Sequence, residues 1–447
     1  MTDLQIYLTL GIFATVILVI AVDLLDMTVT ALLGVCALLA FGLLDTAGIT
    51  NAMRTAGGPL ALLFGGMVVA RMLARTGVFA RIGEIYLHAC AGSGRRFLLL
   101  LIALVAPVCA LLPNATTVVL LAPIIVSVAR ALKVDFVAPL ILTAVVSNAA
   151  GLLTLVGDPA TFLVGNAIGM SFGEYLRTVS PAGLLTVLVI IPLLPLLMPQ
   201  VWRARSEVVE RPPSRISSPV FAVFALVVLA LMVGLFLVGE TLPVPLAAPE
   251  VAIVGATLAL LVVYQFHVEP VEEVLRAVDW KTLIFIGASF CLVQAFTETG
   301  LLQSLALELQ DWFGEEFTLV ALALLATIGL MSSVLANTPV VAAALVTTKA
   351  YLVAVQAVPE VALADNFTAW PALTLPLFVG MMFGGTLGGN ATLIGASANM
   401  VSAGICAAEG ERVTFMRFMR LGLPIALAQL AVGALYVVLV LPRLVGS

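Results

Sequence analysis

Charged side chains are scarce in this sequence, and their scarcity defines the class of protein. Asp, Glu, Lys and Arg make up 10% of the 447 residues, whereas 62% of the residues are hydrophobic and the mean hydropathy is +1.20. A soluble domain carries about a quarter charged residues. The composition therefore predicts an integral membrane protein with no attached soluble domain and no nucleic-acid partner.

Histidine, cysteine and several catalytic motifs are also rare or missing. The two histidines, His88 and His267, lie in polar stretches, which argues against a histidine proton relay. The five cysteines have no CxxC spacing and are expected to be small buried residues. The HExxH metalloprotease motif and the GxxxxGK[ST] phosphate loop are absent. These absences argue against an enzyme and against a pump that hydrolyses ATP by itself.

Hydrophobic runs long enough to cross a bilayer recur along the chain. One polar stretch, residues 201–218, contains four arginines and a Pro-Pro pair and divides the sequence near its middle. We expect an all-α polytopic membrane protein with about 10 full spans and two hairpins that do not cross. Its predicted parts are a first repeat over 1–200, a cytoplasmic linker over 201–218 and a second repeat over 219–447.

The distribution of Lys and Arg predicts the orientation, because these residues favour cytoplasmic loops. Most of the 20 basic residues fall into the segments 71–96, 130–133, 203–215, 276–281 and 412–420. If these segments face the cytoplasm, both termini lie on the outer side of the membrane, which we expect to be the cytoplasmic (inner) membrane. The two halves then have opposite topology, which makes them inverted repeats.

Two uncharged turns indicate a re-entrant hairpin in each half. The turn at Asn114 interrupts the hydrophobic stretch 97–130, and the turn at Asn337 interrupts the stretch 318–356. Turns in water or at lipid headgroups usually carry charge, so both tips are expected to be buried. We predict one hairpin entering from each side of the membrane.

Each half also has a hydrophobic segment that is broken in its middle. The sequence LTLVGDP at 153–159 breaks the segment 136–170, and ATLIGAS at 391–397 breaks the segment 371–405. A helix can break inside the bilayer only where its free N–H and C=O groups are buried in protein or face water. Paired breaks in two repeats are the best sequence indication of a transporter's binding site.

Small polar residues at the tips and breaks are the candidate ligands. Amide and hydroxyl oxygens, together with carbonyls freed at a break, suit Na⁺, whereas half-helix N-termini attract anions. Such a site would hold an anion without a buried Lys or Arg. The predicted substrate- or ion-binding residues are Asn114, Thr116, Thr117, Asn148, Thr154, Gly157, Asp158, Thr161, Asn337, Thr338, Asn390, Thr392, Ser397 and Asn399.

Asp158 is the one carboxylate that the sequence places deep in the membrane. An acid in such a position is a functional candidate, as a cation ligand or a proton carrier. The alternative is structural, because Asp158 followed by Pro159 is also the pattern of an N-cap before the first residue of a helix. One residue can serve both roles. The Asn and Thr residues have their own structural alternative as hydrogen-bonding contacts between helices.

The motifs at these positions resemble a known family. Residues 147–148 (SN), 154–159 (TLVGDP) and 388–399 (GGNATLIGASAN) resemble the arsenical-pump (ArsB) and NhaD branch of the ion transporter superfamily, which includes the P protein. The tips 114–117 (NATT) and 337–339 (NTP) resemble signatures of the related dicarboxylate/sodium symporters. The resemblance implies a homodimer with a scaffold and a moving transport domain that works by elevator-like alternating access. The missing phosphate loop leaves a separate soluble ATPase open as a partner.

The chain also departs from the pattern of this branch. Many relatives carry an acid before the hairpin asparagine, whereas here Pro113 and Ala336 occupy these positions. Asp158 is therefore almost the only titratable group at the predicted site, which argues against exchange of several charges in one cycle.

The residues and the resemblance together favour a secondary active transporter of a small inorganic or organic anion, coupled to H⁺ or Na⁺. Export of an arsenite-type oxyanion is the most natural instance. The alternatives are a Na⁺/H⁺ antiporter of the NhaD type and a Na⁺-coupled importer of dicarboxylate or sulfate. The expected partners are this anion and membrane lipid. No cofactor is expected beyond Na⁺ as a coupling ion.

Overall fold

The computed structural model describes residues 3–21, 24–110, 112–206, 218–363 and 367–445. The predicted all-α class is confirmed, because the described residues form helices and no β-strand. Most of the predicted linker lies outside the described residues. The helices are α1 (Asp3–Ala21), α2 (Met27–Ala40), α3 (Thr46–Arg75), α4 (Val78–Cys90), α5 (Gly94–Cys109), α6 (Asn114–Ala131), α7 (Val137–Ala150), α8 (Pro159–Ala167), α9 (Phe172–Thr178), α10 (Ser180–Leu188), α11 (Ile190–Leu197), α12 (Pro199–Arg203), α13 (Pro219–Val238), α14 (Ala248–Gln265), α15 (Val271–Arg276), α16 (Trp280–Thr297), α17 (Leu301–Phe313), α18 (Phe317–Ser332), α19 (Asn337–Ala354), α20 (Leu375–Gly388), α21 (Ser397–Ala408), α22 (Phe415–Leu439) and α23 (Leu441–Val445).

Among the described residues, 8 helical segments are long and apolar enough to cross a membrane. Shorter apolar helices accompany them, including α7 and α21, which flank breaks. A bilayer core about 30 Å thick needs roughly 20 helical residues, so helices of 12 to 14 residues such as α2, α7 and α21 are too short to cross it alone. The division of the chain into ten full spans and two hairpins stays a prediction.

Two helix pairs lie over the predicted hairpins. Helix α5 ends at Cys109 and α6 begins at Asn114, and a turn at 333–336 joins α18 and α19. Pro113 and Ala336 take extended backbone angles, so the second helix of each pair begins at an asparagine. Both asparagines thereby stand at helix N-termini.

Each pair is preceded by a helix of about 13 residues that sequence reasoning did not predict, α4 before α5 and α17 before α18. Both helices carry an apolar face and a polar face, as expected of helices at a membrane surface. Both also begin after a glycine with positive φ, 76° at Gly77 and 78° at Gly300. A left-handed residue turns the chain sharply, and glycine adopts that conformation without steric cost.

The helices that lead into the breaks form the centre of the molecule. Nearly all residues of α7 and α20 are buried, and neither helix has a distinct polar face. A helix that is apolar all round is expected to be buried on all sides. Helix α20 packs along α18, and α7 packs between α5, α6 and α21. The chain therefore encloses both breaks in protein.

Ion pairs lie at the ends of the helices. Arg71 donates two hydrogen bonds to Glu269, with N–O distances of 2.9 and 2.8 Å, and Arg75 binds the same carboxylate. Burial raises the pKa of the Glu269 carboxyl, but the hydrogen bonds from the two arginines outweigh it and hold the pKa below its ordinary value. This cluster fastens the end of α3 to the loop that follows α14.

Candidate functional site

The structure contains a break at each of the two predicted places, and the two breaks have similar backbones. After α7 a 3-10 turn, Gly151–Leu153, leads to extended Thr154, with φ −141° and ψ 156°. After α20 the 3-10 turn Gly389–Ala391 leads to Thr392, with φ −132° and ψ 165°. The next helices begin five residues further on, at α8 and α21. The shared Gly, Thr and Gly positions of the two sequences thus produce one local structure.

A pair of glycines closes each break. An added Cβ on Gly157 would lie 2.7 Å from the carbonyl oxygen of Gly151. An added Cβ on Gly395 would lie 2.6 Å from the carbonyl oxygen of Gly389. Real Cβ atoms do not approach carbonyl oxygens so closely, so these positions require glycine. The predicted site residue Gly157 therefore shapes the backbone.

The threonine of each break is hydrogen-bonded to the neighbouring hairpin turn. The Thr154 hydroxyl donates to the carbonyl oxygen of Ala110 at 2.6 Å. The Thr392 hydroxyl donates to the carbonyl oxygen of Ser333. Both side chains were predicted as ligands, and both donate their hydroxyl hydrogen within the protein. Their remaining lone pairs are what they can offer to a bound cation.

Asp158 lies where the two hairpin turns and the first break meet. Its side chain is 2% exposed and caps α8 by accepting from the N–H groups of Ala160 and Thr161. The same carboxylate accepts from the Asn337 amide at 3.2 Å and from the Asn114 amide at 3.4 Å. The structural reading of Asp158 as an N-cap is therefore correct. The two amides come from opposite halves of the sequence. Asp158 therefore makes more hydrogen bonds than an N-cap requires.

A chain of buried amides continues from this carboxylate. Asn114 also donates to the Asn148 oxygen at 3.3 Å. The two hydrogens of the Asn148 amide go to Asn390 at 2.9 Å and to Asn399 at 3.0 Å. Asn399 in turn donates to the carbonyls of Gly389 and Thr392, both at 2.8 Å. Five of the predicted residues thus form one network with Asp158, and it joins α6 and α7 to the second break.

The remaining predicted residues lie around this network. Thr161 is fully buried, with its hydroxyl 3.4 Å from that of Thr386, and Thr338 donates to its neighbour Asn337. The Thr117 hydroxyl is buried and has no hydrogen-bond partner among the described atoms. Thr116 and Ser397 are half-buried in the first turns of α6 and α21. The side chains of Thr116, Thr117 and Ser397 therefore make no hydrogen bond to the network among the described residues.

A large cavity reaches the second hairpin turn. It has a volume of about 840 Å³ and mainly apolar walls formed by α1, α2 and α16 to α19. Asn337, Thr338, Ala396 and Ser397 line it as well. Near the first hairpin turn, a void bordered by Pro113 measures only about 20 Å³. The second half of the site therefore faces open space, whereas the first half is closely packed.

Two polar residues of the site, Gln429 and Cys109, are not among the residues that the sequence predicts for it. Gln429 on α22 is fully buried, accepts from Asn390 at 2.8 Å and donates to the Thr186 carbonyl at 3.0 Å. The Cys109 sulfur lies 2.9 Å from both the Asn114 oxygen and the Ser147 carbonyl oxygen, which share its single thiol hydrogen. A lone glutamine in a 25-residue apolar helix was the available signal for Gln429, because buried polar groups need partners.

One sequence pattern suggests hydrolase chemistry, the GxSxG at residues 169–173. A nucleophile elbow requires a strand before this serine and a helix after it. Here no strand precedes Ser171, which caps α9 by accepting from the Glu174 N–H at 3.1 Å. The pattern is therefore a helix cap.

Comparison with known proteins gives consistent matches. Residues 16–365 match the citrate transporter family. A transporter of Synechocystis sp. is 41% identical over 437 residues, which cover 97% of each chain. The human P protein is 26% identical over 516 residues, which cover 97% of this chain but 60% of the P protein. The crystal structure of the YdaH transporter of Alcanivorax borkumensis superimposes with a TM-score of 0.58 at 14% identity, covering 88% of this chain and 86% of that one.

These matches agree with the enclosed breaks and with the hydrophobic helices. The YdaH similarity establishes a shared fold, and the sequence matches extend over most of the chain. The predicted resemblance to the ion transporter superfamily is confirmed, and the P protein is among the relatives. The chain is a multi-pass integral membrane protein and, like its relatives, a transporter. It belongs to the citrate transporter family, CitMHS, and is a secondary transporter of the ion transporter superfamily.

Proposed function

We propose that this transporter carries a small anion, inorganic or organic, and couples its movement to H⁺ through Asp158. The observation that carries the proposal is the difference between the two helix N-termini at the breaks. Helix α8 is capped by the Asp158 carboxylate, whereas α21 begins after Ala396, which has no capping side chain. The start of α21 lines the large cavity.

The N-terminus of α21 supplies the positive end of the proposed anion site. The first N–H groups of a helix have no partner within the helix, and the helix dipole favours negative charge there. Asn337, Thr338 and Ser397 add polar groups beside it. Lys281 is the only basic residue among the described residues that line the cavity, and it is paired with Asp26 at the start of α2 and α16. The anion would therefore be held by backbone N–H groups and amides.

Asp158 supplies the coupling in this proposal. A carboxylate enclosed in a membrane protein and contacted by both hairpin turns can gain or lose a proton as the anion binds. Its ionised form would repel the anion, and its neutral form would not. Because protonation of Asp158 removes this repulsion, H⁺ and the anion would bind together. Na⁺ held by carbonyl and amide oxygens is the other coupling ion to be tested.

The transport cycle and the assembly also belong to the proposal. We expect alternating access of the elevator type in a homodimer of the inner membrane, with both termini outside. The hydrogen bonds that join each hairpin turn to its break support movement of this part as one body. A soluble ATPase partner is not needed for such a cycle, although one could add energy to export.

Two substrate classes follow from different observations. The resemblance of the break sequences to arsenical pumps favours export of an arsenite-type oxyanion. The match to the citrate transporter family favours a carboxylate, which the same N–H groups would bind. The cavity is large enough for either substrate.

Transport by the purified protein in proteoliposomes tests the proposal. Arsenite, sulfate, succinate and citrate are offered separately under a pH gradient, a Na⁺ gradient or neither. We expect one of these anions to move under the pH gradient, and Asp158→Asn to abolish that dependence. Na⁺-driven proton flux without movement of any anion would instead identify an antiporter. Anion transport driven by Na⁺ and unchanged in Asp158→Asn would contradict coupling through Asp158.

A further inference from the structure

We infer that Gln429 is a positioning residue, which acts through a chain of amides to fix the orientation of Asn114 toward Asp158. The inference rests on the proposed function, because it assigns a role in the same site. Gln429 lies on α22 and is separated from Asp158 by three other side chains, Asn390, Asn148 and Asn114. It touches neither the cavity nor the carboxylate in the recorded contacts.

The chain of amides has one direction, and a backbone carbonyl sets it. The Thr186 carbonyl can only accept a hydrogen bond, so the Gln429 side chain must turn its NH2 group toward Thr186. The Gln429 oxygen then faces Asn390 and accepts from its NH2 group at 2.8 Å. The orientation of Asn390 is thereby determined.

The same constraint passes along the chain to the site. The Asn390 oxygen faces Asn148 and accepts from its NH2 group, as does the Asn399 oxygen. The Asn148 oxygen is left facing Asn114, whose NH2 group donates to it and to Asp158. Gln429 and Asn399 are thus two separate anchors of one amide orientation.

Asn114 needs such an anchor because, in the orientation that donates to Asp158, its oxygen faces the carbonyl oxygens of Ser147 and Gly157, which cannot donate to it. If the amide turned over, its NH2 group would lie 3.3 Å from the carbonyl oxygens of Ser147 and Gly157. Its oxygen would then face the Asp158 carboxylate, which an ionised carboxylate cannot satisfy. The amide chain selects the orientation that donates to Asp158. Without Gln429 the selection weakens, because the buried Asn390 NH2 group loses its acceptor.

Cys109 provides a local reporter that needs no substrate. Its thiol donates to the Asn114 oxygen in the selected orientation. Turning the amide would remove this acceptor and leave the Ser147 carbonyl alone. The infrared S–H stretching band moves with hydrogen-bond strength and can be followed in a protein whose other four cysteines, Cys36, Cys90, Cys291 and Cys406, are replaced by Ala.

The experiment combines this band with transport of the anion found in the proteoliposome screen. We expect Gln429→Leu to shift the Cys109 band and to reduce transport about fivefold or more, since a buried donor is left unsatisfied. Gln265→Leu is the matched control, because Gln265 is exposed at the end of α14. It should change neither the band nor transport.

Gln429→Glu keeps the inference testable if the leucine variant does not fold. One glutamate oxygen can still accept from Asn390, but the other faces the Thr186 carbonyl and needs a proton to bind it. The Asn390 amide and the Thr186 carbonyl do not titrate, so the introduced carboxyl is the titrating group of this contact. As the pH falls, we expect the Cys109 S–H band of the Gln429→Glu variant to return toward its wild-type position. Transport by this variant, relative to wild type at the same pH, should rise as well.

The outcomes separate the inference from the proposed function. An unshifted Cys109 band in Gln429→Leu overturns the inference, even if transport falls. A shifted band with transport equal to wild type also overturns it, because orientation of Asn114 would then not matter. A shifted band in a protein that moves none of the four anions supports the positioning of Asn114 and contradicts the proposed function.

Discussion

The two breaks share a backbone but differ in what stands at the start of the following helix. The first break ends in Asp158, with φ −141° and ψ 134°, and the second ends in Ala396, with φ −148° and ψ 148°. At the first, a carboxylate of the protein occupies the helix N-terminus and the surrounding space is nearly filled. At the second, a methyl group stands there and the space is open.

This difference indicates how one backbone arrangement can serve two tasks. A helix N-terminus attracts an anion whatever its source. In the proposed function, the first half provides its own carboxylate, which would take up a proton, and the second half leaves the position to the transported anion. Two open N-termini would bind two anions and repel their charges, whereas one filled position allows a proton and an anion to influence each other.

The largest expected effect comes from removing the charge at the first break. Asp158→Asn should reduce transport driven by a pH gradient to background, because the amide cannot carry the proton. Asparagine also caps helices, but its NH2 group would face the two amides that donate to Asp158, so we expect the free energy of unfolding to fall by about 1–3 kcal/mol. Transport in proteoliposomes and thermal unfolding in detergent measure the two quantities.

Asp45→Asn is the control for this variant, because Asp45 caps α3 at an exposed position. It should leave transport unchanged. If both variants lost pH-driven transport equally, capping rather than proton coupling would explain the loss at Asp158.

The second expected effect comes from making the two breaks alike. Ala396→Asp would place a carboxylate at the start of α21, where we expect the anion to bind. The apparent KM for the anion should rise about tenfold or more, because two negative charges would compete for one helix end. Concentration dependence of initial uptake measures it.

Ala396→Asn is the neutral control, with similar size and capping ability. It should raise the apparent KM much less than the aspartate does. An aspartate variant with wild-type KM would place the anion elsewhere than at α21.

A smaller effect is expected from loosening the second break. Thr392→Val removes the hydroxyl that donates to the Ser333 carbonyl and leaves this buried oxygen without that donor. We expect transport to fall about fivefold or more, in line with the loss of one buried hydrogen bond. Thr257→Val, which removes an exposed hydroxyl on α14, should have no effect on uptake. Equal losses in the two variants would argue against a special role for the break.

The smallest expected effect concerns a carboxylate outside the site, Glu269. Its pKa is lowered in the folded protein, so its stabilising effect is present above the ordinary glutamate pKa of about 4.3 and is lost as the pH falls through the folded value. Glu269→Gln should lower the free energy of unfolding by about 2 kcal/mol at pH 7. The difference from wild type should vanish in acid.

Transport by Glu269→Gln should keep its dependence on the pH gradient. Thermal unfolding across pH and uptake in proteoliposomes measure both properties. Lost coupling in this variant would mean that the proton does not act at Asp158 alone.

The location of the breaks could be predicted from sequence because glycine, proline and small polar residues interrupt otherwise apolar segments. Asp158 could be predicted because an acid in such a segment is conspicuous. The closeness of Asp158 to both Asn114 and Asn337 could be expected only from the idea of two repeats, since 179 residues separate Asp158 from Asn337.

Other parts of the site could not be predicted because their roles depend on distant contacts. Gln429 has no motif around it, and its importance comes from packing of α22 against α10 and the second break. Cys109 resembles a small apolar residue in the sequence, and its contact with the Asn114 oxygen appears only in the structure. The surface helices α4 and α17 are too short and too polar to appear in a search for spans.

The threonine hydroxyls at the breaks have a mechanical consequence. Each one fastens the unwound strand to the neighbouring turn, so the groups that would grip ion and solute are linked through main-chain oxygens. In the proposed elevator cycle, walls connected in this way would keep their shape during the movement. The bound anion would then be released only when the whole binding site opens to the other side of the membrane. A carrier of this kind does not dissipate the ion gradient that drives it.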